Sequence, residues 1–189
     1  MQAWSTRDIL ITAIIGVAFG VVFAAWNLVW NVFAPLSGVT PLPNFLLYGM
    51  WLMPAVLAPL IVRKPGAALF AEVIAAAVSM FMPGNTWSVD VLLSGVLQGA
   101  AAEIVFTLFR YRNWSFPVLA LAAIASSVAA WLHDWALYYA DTAVDVQVLR
   151  GIVMAVSAVA IVAYGSVLLV GALRRTGVLQ GLGAAETSA

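Results

Sequence analysis

Apolar residues run along this chain in six long blocks, each closed by a short stretch of charge, proline or glycine. A helix needs about 20 such residues to cross the roughly 30 Å hydrocarbon core of a bilayer. The blocks predict an all-α integral membrane protein with six transmembrane helices, at residues 8–34, 44–62, 65–82, 88–109, 115–139 and 146–173. Pro35 stops the first, and a loop carrying Gly38, Pro41 and Pro43 leads to the second. Pro83-Gly84-Asn85 ends the third, and Arg110-Tyr111-Arg112-Asn113 follows the fourth. Pro117 falls in the first turn of the fifth, where its missing N–H does no harm. Arg174-Arg175 close the sixth. The connections are too short for separate domains, so residues 1–189 read as one membrane domain. The first block is too long for a signal peptide, and Pro35-Leu36-Ser37-Gly38 reads as a loop rather than a cleavage site.

Composition agrees with the blocks. Of 189 residues, 65% are hydrophobic and 8% charged, against about a quarter charged in a soluble domain. Net charge is zero, which implies no bulk attraction to nucleic acid. The absence of cysteine excludes disulfides, thiolate metal sites and Cys nucleophiles, and one histidine is thin support for a metal. Charge also sets the expected orientation. Arg7, Arg63, Lys64, Arg110, Arg112, Arg174 and Arg175 fall on one side of a six-span chain, with only Arg150 on the other. Positive residues stay inside, so both termini are expected in the cytoplasm and the acidic side, with Asp90, Asp141 and Asp145, outside. Arg150 is expected to pair with Asp145 or to snorkel at the outer interface.

Small residues recur at four-residue spacing, as in Gly95 and Gly99, or Ala122, Ser126 and Ala130, and let membrane helices approach closely. Most such stripes are expected to pack this bundle internally, and that of Gly16, Gly20 and Ala24 on the first helix is the candidate docking face for a partner membrane subunit.

Polar and aromatic residues are uneven with depth. Nine residues after Arg63, past the basic turn Arg63-Lys64-Pro65-Gly66, Glu72 stands within an apolar block. A carboxylate at such depth costs on the order of 3 kcal/mol and by default marks a functional site. Trp26, Asn27, Trp30 and Asn31 lie in the outer third of the first helix, and Asn44, Tyr48 and Trp51 share a face of the second. Asn85, Thr86, Trp87 and Asp90 surround the outer turn between the third and fourth. Trp131, Asp134 and Tyr138 share a face of the fifth, beside His133 and Trp135. Glu72 and Gln98 lie below these near mid-membrane, and Glu103 a turn deeper. An interfacial aromatic belt explains about half of the rings, but not the amides and acids on the same faces. Flat rings with a few amides and carboxylates suit a small planar ligand, neutral or cationic. Ser126 and Ser127 lie too far along the helix from His133 for a nucleophile–base pair, and no phosphate-binding glycine loop occurs, so neither catalysis nor ATP hydrolysis is expected of this chain.

The run Arg63-Lys64-Pro65-Gly66-Ala67-Ala68-Leu69 with Glu72, then Gly84-Asn85, Gln98-Gly99 and Ala102-Glu103, resembles the YkoE-type substrate-binding S-components of energy-coupling factor (ECF) vitamin transporters. Tyr48-Gly49 with Trp51, Ser126-Ser127, Asp134 and Thr176-Gly177-Val178-Leu179 fit the same pattern, which runs from about Trp4 to Gly181. Met80, where relatives would carry an acid, and His133 depart from it. The resemblance implies a six-helix subunit that binds thiamine or its hydroxymethylpyrimidine precursor near the outer face. It implies a transmembrane coupling subunit and two ABC-type ATPases as partners, with ATP used by those partners and no cofactor held by this chain. On that basis Glu72 and Gln98 are expected to meet the aminopyrimidine edge, Trp30, Tyr48, Trp51 and Trp87 to stack, and Asn31, Asn85 and Asp134 to fix the remaining polar groups. Glu103 is divided between the site floor and a pair with Arg110. The alternatives are an S-component for another heterocyclic vitamin, a stand-alone transporter of a small cationic solute, or a membrane enzyme using His133 and Asp134.

Overall fold

The computed structural model describes residues 3–33, 42–83, 85, 87 and 89–184, and among these every regular element is helical. Helix α1 (Thr6–Phe33) opens on a capping box. The Asp8 carboxylate accepts from the Ser5 N–H at 2.9 Å, and the Ser5 hydroxyl accepts from the Asp8 N–H at 3.2 Å. Residues 34–41, 84, 86 and 88, which include Pro35, Gly84 and Thr86, lie outside the described residues.

The second span is expected as one helix over 44–62 but is broken. A short α2 (Leu42–Leu46) gives way to a 3₁₀ stretch, Tyr48–Leu52, before α3 (Met53–Val62). Pro54, in the first turn of α3, has no N–H to return to the carbonyl of Met50, so the chain upstream tightens instead of continuing as an α-helix. All ten residues of α3 are buried, which makes it the central rod of the bundle. Arg63 ends it in a left-handed conformation (φ 55°), and Gly66 (φ 88°) turns the chain into α4 (Ala67–Met80). With 14 residues, α4 is roughly 21 Å long, shorter than the hydrocarbon core.

Helix α4 lies between α1 and α5 (Asp90–Leu108), and the small-residue stripes explain how closely they approach. A Cβ at Gly16 would stand 2.8 Å from the Ala71 carbonyl, and one at Gly20 2.9 Å from that of Ala75. On the other side, a Cβ at Gly99 would stand 2.8 Å from the Leu69 Cα. Gly16 and Gly20 are therefore consumed inside the bundle. They do not form the outward docking face expected of them, and Ala24 on the same stripe is half-buried.

Helix α6 (Phe116–Tyr138) follows, then α7 (Val144–Ser157), a π-helical turn over Ala158–Ala163 and α8 (Tyr164–Arg175), the last three forming one continuous sixth span. The π turn packs on the 3₁₀ stretch of the second span. Ser157 joins them: its hydroxyl donates to the Leu46 carbonyl at 2.6 Å and accepts from the Gly49 N–H at 2.9 Å. Gly49 has room for no side chain, since a Cβ there would sit 2.7 Å from the Ser157 carbonyl. Five helical runs are long and apolar enough to cross a membrane, and α4 is the shorter sixth. The turns bearing Arg63, Lys64, Arg110 and Arg112 gather at one end, where the segment after α8 folds back and buries Leu179, Leu182 and Ala184.

Candidate functional site

At the end opposite those basic turns, the bundle encloses a cavity of about 100 Å³ lined from α1, the 3₁₀ stretch, α4, α5 and α6. The last turns of α1 supply Phe23, Asn27 and Trp30 along one face. Three residues per turn in the 3₁₀ stretch place Tyr48 and Trp51 on the same side, so the break in the second span presents both rings together. Trp30 is the hub. Its ring meets Trp51 at 5.0 Å, Phe45 at 5.8 Å, Tyr48 at 6.2 Å and Trp87 at 6.4 Å, each edge to face. Asn27 accepts from the Trp51 indole N–H at 3.2 Å and holds that ring in place.

Glu72 forms part of the cavity wall and is 1% exposed. Its Oε2 accepts from the Ala55 N–H at 2.9 Å. That N–H is one of the amides that the broken second span leaves without an intrahelical acceptor at the start of α3. The acid in the lipid is therefore half explained by architecture: one oxygen caps α3. No donor among the described residues meets Oε1. On α4, Ala76 and Ser79 continue the Glu72 face, and on α5 the Gln98 amide donates to the Ser94 hydroxyl at 2.6 Å.

The wall from α5 and α6 is ionic. His133 stands between two carboxylates, with Nδ1 3.0 Å from Asp134 Oδ1 and Nε2 3.1 Å from Asp90 Oδ1. The Tyr138 hydroxyl donates to the other Asp90 oxygen. Behind this wall lies Arg150, 1% exposed, with its guanidinium 3.5 Å from the centre of the Tyr139 ring and 4.3 Å from that of Phe45. It donates to the Gln147 side chain at 2.8 Å, while Nε and Nη2 have no hydrogen-bond partner among the described residues. This corrects the expectation that Arg150 pairs with Asp145 or reaches the interface: two rings and an amide hold it inside.

Of the residues expected in the site, Trp30, Tyr48, Trp51, Glu72, Trp87, Gln98 and Asp134 all line this one cavity. Three do not. Asn31 is exposed on α1. Asn85 braces the turn before α5, accepting from the Trp87 N–H at 2.9 Å and donating to the Met80 carbonyl at 3.2 Å, so it positions a wall residue instead of facing the cavity. Glu103 belongs to the opposite end. It accepts from the N–H groups of Gly66 and Ala68 and from the Tyr111 hydroxyl, capping α4, and it neither floors the cavity nor pairs with Arg110. Burial and the bond to Glu103 push the Tyr111 phenol up to about 12. Sequence reasoning missed Ser79 and Ser94, and placed Asn27, Asp90 and Tyr138 in the outer polar and aromatic cluster without giving them a contact to the ligand. The available signal was spacing, since Ser79 lies seven residues after Glu72 and Ser94 four before Gln98, each on the same helical face.

Six helical spans, one of them broken, around a polar and aromatic cavity near one end are the architecture of an ECF transporter S-component. A solved structure described as the crystal structure of an S-component of ECF transporter superposes with a TM-score of 0.92 at 32% sequence identity, covering 97% of this chain and 92% of that one. The family model described as "ABC-type cobalt transport system, permease component" matches residues 7–129. The HMP/thiamine permease protein YkoE of Bacillus subtilis (strain 168) is 39% identical over 134 residues, which are 71% of this chain and 66% of that protein. The chain thus spans just under two thirds of the length of that curated relative. This chain belongs to the family of ABC-type cobalt transport system permease components, as an S-component of YkoE type and a multi-pass protein of the cell membrane. Cobalt in the family description has no counterpart among the described residues, where no three His, Cys, Asp or Glu side chains group to hold a metal ion.

Proposed function

We propose that this chain is the substrate-capture subunit of an ATP-driven ECF importer, taking thiamine or its hydroxymethylpyrimidine precursor from outside the cell. The YkoE relative, an HMP/thiamine permease by name, supports that ligand class. The observation that carries the proposal is Glu72, with one oxygen spent on the Ala55 amide and the other without a donor in a cavity walled by tryptophan. An exocyclic amine is the donor such an oxygen lacks. The Gln98 amide, also on the wall, complements the ring nitrogens of an aminopyrimidine. Trp30, Trp51 and Trp87 offer faces to a heteroaromatic ring, and a thiazolium cation is matched by Asp90 and Asp134. In this proposal a transmembrane coupling subunit and two ABC-type ATPases supply the power stroke, ATP is theirs, and this chain binds no cofactor. Since the Gly16–Gly20 stripe is buried against α4, the coupling subunit meets another surface.

The test is the substitution Glu72→Gln, which keeps an oxygen for the Ala55 amide and replaces the second, ligand-facing oxygen by an NH2 group. Thiamine or hydroxymethylpyrimidine affinity should fall at least tenfold, read by calorimetry on purified protein, with the fold intact. Unchanged affinity for both would remove Glu72 from the site. Mass spectrometry of the ligand that co-purifies with the wild-type chain identifies the vitamin directly.

A further inference from the structure

His133 is in contact with a carboxylate at each ring nitrogen, 3.0 Å from Asp134 and 3.1 Å from Asp90. A neutral imidazole has one N–H, so it can satisfy one of these contacts and must turn a lone pair toward the other. With both carboxylates ionised, both contacts become hydrogen bonds only when the ring carries two protons, and both are then charge-assisted. The side chain is buried within a cavity in the bundle, and the groups around it are few. Asp90 comes from α5, Asp134 and Tyr138 from α6, and Glu72 from α4 on the far wall. Tyr139 follows α6, and Tyr48 and Arg150 stand close enough to Asp134 to feel its charge. With the ring doubly protonated, two carboxylates on this wall would be balanced by two cations, the Arg150 guanidinium and the imidazolium.

We propose that the imidazolium of His133 is the resident cation of the cavity, and that a permanently cationic ligand replaces it: as the ligand binds, the His133 proton leaves to solvent and the ligand's charge takes its place between Asp90 and Asp134. Charge is conserved in the exchange, with one ligand cation entering and one proton leaving. A neutral ligand of the same cavity has no charge to exchange and leaves the proton where it is. This rests on the proposed vitamin ligand and deepens it, because it divides thiamine, which carries a fixed positive charge, from its uncharged hydroxymethylpyrimidine precursor. His133 acts here as a positioning residue for the two carboxylates and sets which charge of ligand the site prefers at a given pH.

The chain contains one histidine, so nitrogen-15 labelling of histidine gives a single imidazole spectrum from the intact protein. Without ligand at pH 7.5, both ring nitrogens should show the protonated signature; a neutral tautomer there overturns the proposal. On saturation with thiamine the ring should become neutral. Calorimetry in buffers of different ionisation enthalpy should then count close to one proton released per thiamine and none per hydroxymethylpyrimidine. Thiamine affinity should weaken by about tenfold per pH unit on acidification from the range in which the ring titrates without ligand down to the lower range in which it titrates with ligand bound, and level off below that. His133→Gln, which retains a donor and an acceptor, should bind thiamine with no proton release and no such slope. Thiamine binding to the wild-type chain with the imidazolium signature unchanged, or equal proton release from the wild-type and His133→Gln chains, overturns the exchange. Failure of thiamine to bind a chain whose imidazolium signature is present overturns the vitamin assignment and leaves the resident cation standing.

Discussion

Glu72 shows how one side chain answers two demands at once. The chain must break its second span to bring Tyr48 and Trp51 to the cavity, and the break leaves the Ala55 amide in need of an acceptor away from water. A buried amide without a partner costs about 1–3 kcal/mol. Glu72→Leu should therefore lower stability by about that amount, seen as a drop in the thermal midpoint of the detergent-solubilised protein, whereas Glu72→Gln, whose amide oxygen still accepts, should not. Equal midpoints for the two variants would mean that the cap carries no weight. Arg150 poses a similar question with the opposite charge. Its guanidinium lies against Tyr139 and Phe45 and has donors to spare. A planar cation stacks where an ammonium does not, so Arg150→Lys should cost about 1–2 kcal/mol by the same measurement. Neither partnership was legible in the sequence. Asp145 lies five residues before Arg150, about 140° around the helix, and nothing local announces that Phe45 and Tyr139 will close over the guanidinium instead.

At the level of elements, the hydrophobic blocks locate the spans because span length is set by the bilayer, a constraint that acts on every residue of a block. The predicted helix over 8–34 corresponds to Thr6–Phe33, and that over 115–139 to Phe116–Tyr138. The 3₁₀ stretch and the π turn escaped notice because neither changes hydropathy: the first follows from Pro54, which an apolar count passes over, and the docking of Gly49 on Ser157 holds the two together. The stripe on α1 shows the same limit. Four-residue spacing announces that a helix packs closely and does not say against what. Here α4 is the partner, so Gly16→Leu should drive a side chain into Ile74 and the Ala71 carbonyl and cost about 1–3 kcal/mol of stability. Ile14, two residues away and 63% exposed, should tolerate Ile14→Ala within about 0.5 kcal/mol by the same thermal measurement. A Gly16→Leu chain that keeps its midpoint and fails only in assembling with partner subunits would restore the stripe as a docking face.

Over the whole molecule, the distribution of charge decides which way the cavity faces, and so whether this subunit captures from outside. Seven of the eight cations lie toward one end of the bundle, and the cavity lies toward the other, beside Asp90. Lys and Arg near span ends are retained on the cytoplasmic side, so the cavity mouth should open outward. The seven expected site residues that share this cavity owe it to the same large-scale pattern: residues at similar depth on neighbouring spans meet where their helical faces turn inward. The orientation is directly testable because the chain has no cysteine of its own. Arg112 and Asp141 are both exposed, in turns at opposite ends of α6. In intact cells, a membrane-impermeant maleimide should label Asp141→Cys, and should reach Arg112→Cys only after the membrane is permeabilised. The reverse pattern would put Trp30, Glu72 and His133 on a path open to the cytoplasm, and a subunit so placed could not take a vitamin from the medium.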